Sequence, residues 1–120
     1  MITINKLKVE VAHFPDGTQY IKFPHNSTYG SQCVISWFYD SDEEIFTLAS
    51  VVEYVRRMAN KTVSLLLHIP YLPNARMDRI KNPSENFSLK IFANIINSLN
   101  FDKVEVQNVH SNVSEALINN

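Results

Sequence analysis

Short apolar strands alternate with amphipathic helices between residues 33 and 107, and this alternation constrains the fold more than any other feature. Apolar runs at residues 33–38 and 62–69 predict two strands, and alternation predicts a third over residues 103–107. Apolar residues at helical spacing predict one helix that follows the capping-box sequence Ser41–Glu44 and ends near Asn60, and a second helix over residues 87–100. Strands that alternate with helices form a mostly parallel sheet, so the predicted fold class is α/β with helices flanking the sheet.

A β-hairpin is predicted before this alternating region, over residues 6–23. Apolar and charged residues alternate from residue 7 to residue 11, which indicates a strand with one solvated face. Residues 19–23 form the second predicted strand. The intervening residues 14–18 predict a turn, because Pro15 fixes its own φ and Gly17 allows a positive φ.

Length and composition exclude several classes of protein. The 120 residues suit one domain, 1–120, and a net charge of −1 argues against a dedicated nucleic-acid binder. Gly17 and Gly30 are the only glycines in the sequence, and neither lies in a P-loop or Rossmann pattern. Any nucleotide phosphate must therefore be bound by side chains or by a loop from another chain segment. Neither a signal peptide nor a membrane-spanning run is visible, so we expect a cytoplasmic protein that does not contact a membrane.

The longest irregular stretch, residues 70–85, carries the charged cluster Arg76, Asp78, Arg79 and Lys81. It follows a predicted strand, and functional residues of open α/β sheets lie at the carboxyl ends of strands. Because the guanidinium group matches phosphate oxygens, the cluster predicts a triphosphate clamp. A solvated, charged loop is the alternative.

His110 follows the last predicted strand and lies two residues after Asn108. The two side chains face the same way on an extended strand end, so His110 is a candidate to ligate a metal or contact a phosphate. The alternative is a half-exposed histidine at a strand end. His68 lies within an apolar strand and is interpreted as a core or sheet-edge residue, and Cys33, in another apolar run, as an inert buried thiol.

Residues 69–79, IPYLPNARMDR, resemble the P-Y-x-x-x-A-R-Q-D-R segment of the ribose-phosphate pyrophosphokinase family. Three further segments agree in the same order. FPDG at 14–17 resembles F-S-D-G-E, KIFAN at 90–94 resembles K-L-V-A-N, and VQNVH at 106–110 resembles V-D-L-H. The resemblance spans residues 14 to about 112, which is most of the chain.

The resemblance implies the phosphoribosyltransferase-type fold of the family's N-terminal domain, with the hairpin as a projecting flag. It also implies a transferase that moves the β,γ-diphosphoryl group of ATP to the 1-hydroxyl of ribose 5-phosphate with Mg²⁺. Assembly into a homo-oligomer is expected, since members of the family assemble through this domain.

The resemblance also assigns roles to residues of this chain. Arg79 and His110 are the candidate catalytic residues, and His110 and Asn108 are the candidate metal ligands. The resemblance assigns nucleotide binding to Arg76, Phe14 and Asp16, and the charged cluster adds Asp78 and Lys81 as nucleotide-binding candidates. Phe14 and Asp16 are expected to reach the adenine pocket of a neighbouring subunit.

Several positions depart from the family pattern. Thr18 and Met77 stand where the family has glutamate and glutamine, and Asn108 where it has aspartate. Residues 84–87 and the residues after His110 also differ from it. No segment resembles the phosphoribosyl-binding loop of the family's C-terminal domain. We therefore expect an ATP-binding N-terminal half that is inactive alone. The alternatives are a non-catalytic regulatory or interaction subunit of the same family, and an unrelated α/β enzyme with a similar loop.

Overall fold

A five-stranded sheet with two helices and a separate hairpin makes up the described fold. The computed structural model describes residues 1–24, 30–59, 62–71 and 88–108, without the side chains of Tyr71, Ser88 and Asn108. The elements in chain order are β1 (Ile2–Ile4), β2 (Leu7–Lys8), β3 (Glu10–His13), β4 (Gln19–Lys22), β5 (Gln32–Trp37), α1 (Glu44–Met58), β6 (Ser64–Tyr71), α2 (Ser88–Ser98) and β7 (Lys103–Asn108).

The main sheet has the strand order β2-β1-β5-β6-β7, and β3 and β4 form a two-stranded sheet of their own. β5, β6 and β7 are parallel, whereas β1 runs antiparallel to both of its neighbours. A helix separates each consecutive pair of parallel strands along the chain. The predicted α/β fold with parallel strands flanked by helices and a β-hairpin is confirmed, and the described sheet is mixed, with two parallel and two antiparallel pairings.

The core forms against one face of the parallel strands. On β5 every second residue is fully buried, from Cys33 through Ile35 to Trp37, and β6 repeats the pattern. Both helices close this core, and Phe92 of α2 lies with its ring centroid 5.7 Å from that of Trp37. Burial raises the pKa of the Cys33 thiol to about 11, in agreement with its interpretation as inert.

The predicted strand over residues 7–11 is wrong, because the chain changes sheets within it. Leu7 and Lys8 pair with β1, whereas residues from Glu10 onward pair with β4. Val9 marks the change: its side chain is buried, and its N–H donates to the carbonyl of Ile2 at 3.0 Å. Alternation predicts extended backbone, but it does not say which strand is the partner.

The helix predictions hold in type and differ in detail. α1 begins at Glu44, and its N-cap Glu43 makes no side-chain cap hydrogen bond. The carboxylate half of the predicted capping box is present, since Glu44 Oε1 accepts the Ser41 N–H at 3.2 Å. In the described part of the chain, neither helix is long and apolar enough to cross a membrane.

Candidate functional site

Most of the predicted site residues lie outside the described residues: Arg76, Asp78, Arg79, Lys81 and His110. Asn108 is described by its backbone, as the last residue of β7. Phe14 and Asp16 are described in full, and both lie in the turn between β3 and β4.

β6 and β7 end side by side at the carboxyl edge of the parallel sheet, and the residues that follow each strand lie outside the described ranges. β6 ends at Tyr71 and β7 ends at Asn108, and these residues are register partners in neighbouring strands. The segment with the charged cluster and the segment with His110 therefore leave the sheet at adjacent points. The expectation that functional residues follow the strands at this edge concerns residues outside the described ranges and stays a prediction.

No metal-binding group of three His, Cys, Asp or Glu residues occurs within residues 1–24, 30–59, 62–71 and 88–108. The predicted metal ligands, the Asn108 side chain and His110, lie outside what the structure describes. The metal assignment therefore stays a prediction.

The hairpin tip is a tight turn whose backbone explains its glycine. Gly17 N–H donates to the carbonyl of Phe14, and Phe14 N–H donates to the carbonyl of Thr18, both at 2.8 Å. Gly17 adopts a φ of 90°, which residues with a Cβ rarely tolerate. A Cβ at Gly17 would meet nothing within 4 Å, so conformation rather than crowding requires this glycine.

The carboxylate of Asp16 is held by the residue two positions later. Its Oδ1 accepts the Thr18 hydroxyl at 2.7 Å and the Thr18 N–H at 3.0 Å. These hydrogen bonds, with that of the hydroxyl the strongest, hold the pKa of Asp16 below its usual range. The tip therefore presents an exposed carboxylate that stays ionised.

An aromatic pair lies beside this carboxylate. The rings of Phe14 and Tyr20 meet edge to face, with centroids 5.7 Å apart. Phe14 is 50% exposed and Tyr20 is 55% exposed, so the hairpin carries a solvated aromatic surface. Sequence reasoning missed Tyr20, although the alternation of β4 separates it from Ile21, which packs on the core.

The opposite face of the hairpin is docked on the start of α1. His13 Nε2 is hydrogen-bonded to the carboxylate of Glu43, and Gln19 Nε2 donates to the backbone carbonyl of Glu43 at 3.1 Å. Gln19 Oε1 accepts the hydroxyl of Thr47 at 2.7 Å. The hydrogen bond from His13 lowers the pKa of Glu43. His13 and Gln19 are register partners across the hairpin, which is why both reach the same helix end.

A second anchor lies where the chain leaves the hairpin. Phe23 stacks on Tyr54 of α1, with ring centroids 4.0 Å apart and planes 4° from parallel. The guanidinium of Arg57 lies 5.6 Å from the centroid of the Tyr54 ring. The hairpin is thus fixed to α1 both near its tip and at its exit.

A cavity of about 500 Å³ lies between the N-terminal strands and the start of α1. Its charged lining includes Lys8, Glu10, Asp40 and Glu44, and none of the predicted site residues lines it. The Met1 amino group, also in the lining, is paired with Asp40 and Glu44. The charges of Met1, Asp40 and Glu44 are therefore paired with one another within the chain.

The sheet, its two helices and the hairpin define an α/β domain, and a solved structure has the same fold. The domain matches the crystal structure of phosphoribosylpyrophosphate synthetase from Mycobacterium smegmatis with a TM-score of 0.71. The match covers 93% of this chain and 37% of that chain at 16% identity, which confirms the predicted fold class.

Curated proteins that share one name are similar to this chain over most of its length. Ribose-phosphate pyrophosphokinase from Sulfurisphaera tokodaii is 32% identical over 97 residues, which is 80% of this chain and 33% of that protein. The enzymes of that name from Methanobrevibacter smithii and Bacillus subtilis are 28% and 30% identical, over 85% and 87% of this chain and 34% and 32% of theirs.

The chain is thus a divergent relative of the ribose-phosphate pyrophosphokinases, which confirms the resemblance that its motifs predict. It spans about a third of the length of the curated relatives it matches. No family model matches the chain. The parallel sheet and these relatives count against the alternative of an unrelated α/β enzyme.

Proposed function

We propose that this chain is the ATP-binding N-terminal domain of a ribose-phosphate pyrophosphokinase that acts in the cytoplasm. It binds Mg·ATP and mediates assembly, and it is inactive without a C-terminal domain that binds ribose 5-phosphate. The observation that carries the proposal is the similarity to seven proteins of that name, which extends over most of the chain. The fold and the position of the hairpin support it.

Phosphoryl transfer depends on positioning and on neutralising charge at the phosphate oxygens. In this proposal Arg76 and Arg79 supply forked donors to the triphosphate, and Asp78 and Lys81 complete the nucleotide contacts. The register of Tyr71 with Asn108 supports the arrangement, because it starts the arginine segment and the His110 segment at adjacent points of one sheet edge.

The Mg²⁺ assignment fits the donor chemistry of the chain. Mg²⁺ bound to a nucleotide takes most of its ligands from phosphates and water, so it needs few protein ligands. Asn108 offers a neutral carbonyl oxygen and His110 an imidazole, a weaker set than the aspartate of the family pattern would provide. When bound, the ion neutralises charge on the transferring phosphates.

The hairpin supports a role between subunits. It projects an exposed aromatic ring at Phe14 and an ionised carboxylate at Asp16. We propose that these two side chains contact the adenine of a nucleotide bound to a second copy of the chain, in a homo-oligomer.

Calorimetry with Mg·ADP and Mg·ATP tests nucleotide binding directly. Arg76→Ala and Arg79→Ala should each weaken binding about 10- to 100-fold, since each removes hydrogen bonds to a charged group. Arg56→Ala is the matched control, because Arg56 bonds the carbonyl of Asn100, away from the hairpin, and its loss should leave affinity unchanged. Absence of nucleotide binding by the wild-type chain in every assembly state would contradict the proposal.

The departures at Thr18, Met77 and Asn108 support a second candidate function, a non-catalytic regulatory or interaction subunit of the same family. Mixing the chain with a full-length synthetase separates the two candidates. Co-purification that alters the synthetase's rate, with no nucleotide binding by the chain itself, would favour the regulatory subunit. Formation of phosphoribosyl pyrophosphate by the 120-residue chain alone would contradict its proposed inactivity.

A further inference from the structure

Thr18 occupies a position where the family pattern has glutamate, and the structure shows what the threonine does there. Both of its donors reach the same carboxylate oxygen, Oδ1 of Asp16. The backbone bond, at 3.0 Å, is the ordinary closing bond of an Asx turn. The hydroxyl bond, at 2.7 Å, is additional, because an Asx turn forms without it.

The second bond constrains the side chain as well as the backbone. A carboxylate with two donors on one oxygen cannot rotate about its Cβ–Cγ bond without weakening both hydrogen bonds. Oδ2 of Asp16 is then the oxygen left to accept an external donor, because both hydrogen bonds from Thr18 end on Oδ1. The turn that carries Asp16 is itself fixed by the two backbone bonds between Phe14 and residues 17 and 18.

We infer that Thr18 is a positioning residue that orients the Asp16 carboxylate, so that Oδ2 accepts a hydrogen bond from an amino group on the base of a bound nucleotide. The inference rests on the proposed function, because it assumes that the hairpin tip meets a nucleotide. It assigns Thr18 an indirect role, through Asp16, and not a contact of its own with the base.

Two variants separate the hydroxyl bond from the rest of the turn. Thr18→Val keeps the shape and the backbone N–H but removes the hydroxyl, whereas Thr18→Ser retains it. Ser50→Ala is the control for loss of a hydroxyl elsewhere, since the Ser50 hydroxyl bonds only within α1, to the carbonyl of Phe46.

The first readout is local and independent of any ligand. Carbon-detected NMR titration of the Asp16 carboxyl should show its pKa rising toward the usual value in Thr18→Val and staying low in Thr18→Ser. An Asp16 titration in Thr18→Val that matches the wild type would overturn the inference, whether or not the chain binds nucleotide.

The second readout is the affinity for Mg·ADP at a protein concentration at which the chain self-associates. Thr18→Val should weaken binding about five- to tenfold, as expected for one misplaced hydrogen bond, and Thr18→Ser should restore it. Wild-type affinity in Thr18→Val, or no recovery in Thr18→Ser, would overturn the inference. No binding by the wild type would instead overturn the proposed function, and the titration would still decide whether Thr18 orients Asp16.

Discussion

The hydroxyl of Thr47 in α1 donates to Gln19 Oε1 in β4 at 2.7 Å, which ties the hairpin to the helix by a hydrogen bond at the margin of the core. Thr47 is 3% exposed and is the buried polar residue among those described. The amide nitrogen of Gln19 is also bonded, because Nε2 donates to the backbone carbonyl of Glu43. A single glutamine therefore joins the hairpin, next to its tip, to the N-cap and the first turn of α1.

Gln19→Ala should destabilise the domain by about 1–3 kcal/mol, because it leaves the buried Thr47 hydroxyl without its acceptor. Urea denaturation followed by Trp37 fluorescence measures the loss. In a double-mutant cycle with Thr47→Val, the two side chains should show a coupling free energy of about 0.5–1.5 kcal/mol. A coupling of zero would mean that the bond does not hold the hairpin.

The contact between His13 and Glu43 should depend on pH. The pKa of Glu43 in the folded chain lies below its usual value. The carboxylate therefore stabilises the fold at any pH above the usual pKa, and this stabilisation is lost as the pH falls through the lowered pKa. In His13→Ala, NMR titration should show the Glu43 pKa moving up toward normal. Lys103→Ala, which removes a cation from β7, is the control and should leave the Glu43 titration unchanged.

The same contact should be sensitive to salt. Both side chains are about half exposed, so when the imidazole is protonated the attraction between the two charges is weak and is screened by counterions. Amide hydrogen exchange in β3 and β4 should become faster at high ionic strength in the wild type and show little salt response in His13→Ala. Equal salt responses in the two proteins would assign the docking of the hairpin to Gln19 and Phe23 instead.

Glu44 should contribute more to stability than an ordinary surface carboxylate. Its Oε1 accepts the N–H groups of Asp40 at 2.7 Å and Ser41 at 3.2 Å, and the indole N–H of Trp37 at 3.3 Å. Burial raises the pKa of Glu44, but these bonds and the Met1 amino group outweigh it, and the net shift is downward.

Glu44→Ala should therefore cost about 1–3 kcal/mol of unfolding free energy at neutral pH, and Glu44→Gln should cost less because its amide oxygen still accepts. The difference in unfolding free energy between wild type and Glu44→Ala should be present at any pH above the usual carboxyl pKa. It should disappear as the pH falls through the lowered pKa of Glu44. Thermal unfolding at neutral and acidic pH measures this. A difference between wild type and Glu44→Ala that persists at the lowest pH would point to lost packing rather than lost charge.

The elements that could be predicted from the sequence are those whose pattern is local. The alternating burial on β5, from Cys33 to Trp37, and the apolar stripe of α1 can each be recognised within one continuous stretch of sequence. β1 was missed, because three residues carry too short a pattern to stand out. The division of residues 7–11 at Val9 depends on pairing with β1, so it requires knowledge of that strand.

For the candidate site, the sequence predicted the turn at the hairpin tip but not the contacts that hold the hairpin on α1. Phe14 and Asp16 lie at the hairpin tip, as the motif predicts. The links from His13 and Gln19 to α1 join residues that are far apart in sequence, and no spacing rule signals them. The role of Thr18 could be read only from its geometry, because in the motif it appears simply as a departure.

The hairpin lies within the stretch of chain between β1 and β5, two antiparallel neighbours in the sheet. Pairing Ile4 with Ile35 must therefore close a loop that contains β3 and β4. Hairpins of this kind form within microseconds from local contacts, and once formed they shorten the free chain that remains to be closed. Each halving of that length lowers the entropic cost of closure by about 0.6 kcal/mol. Early formation of the β3–β4 hairpin therefore lowers the entropic cost of pairing β1 with β5 during folding.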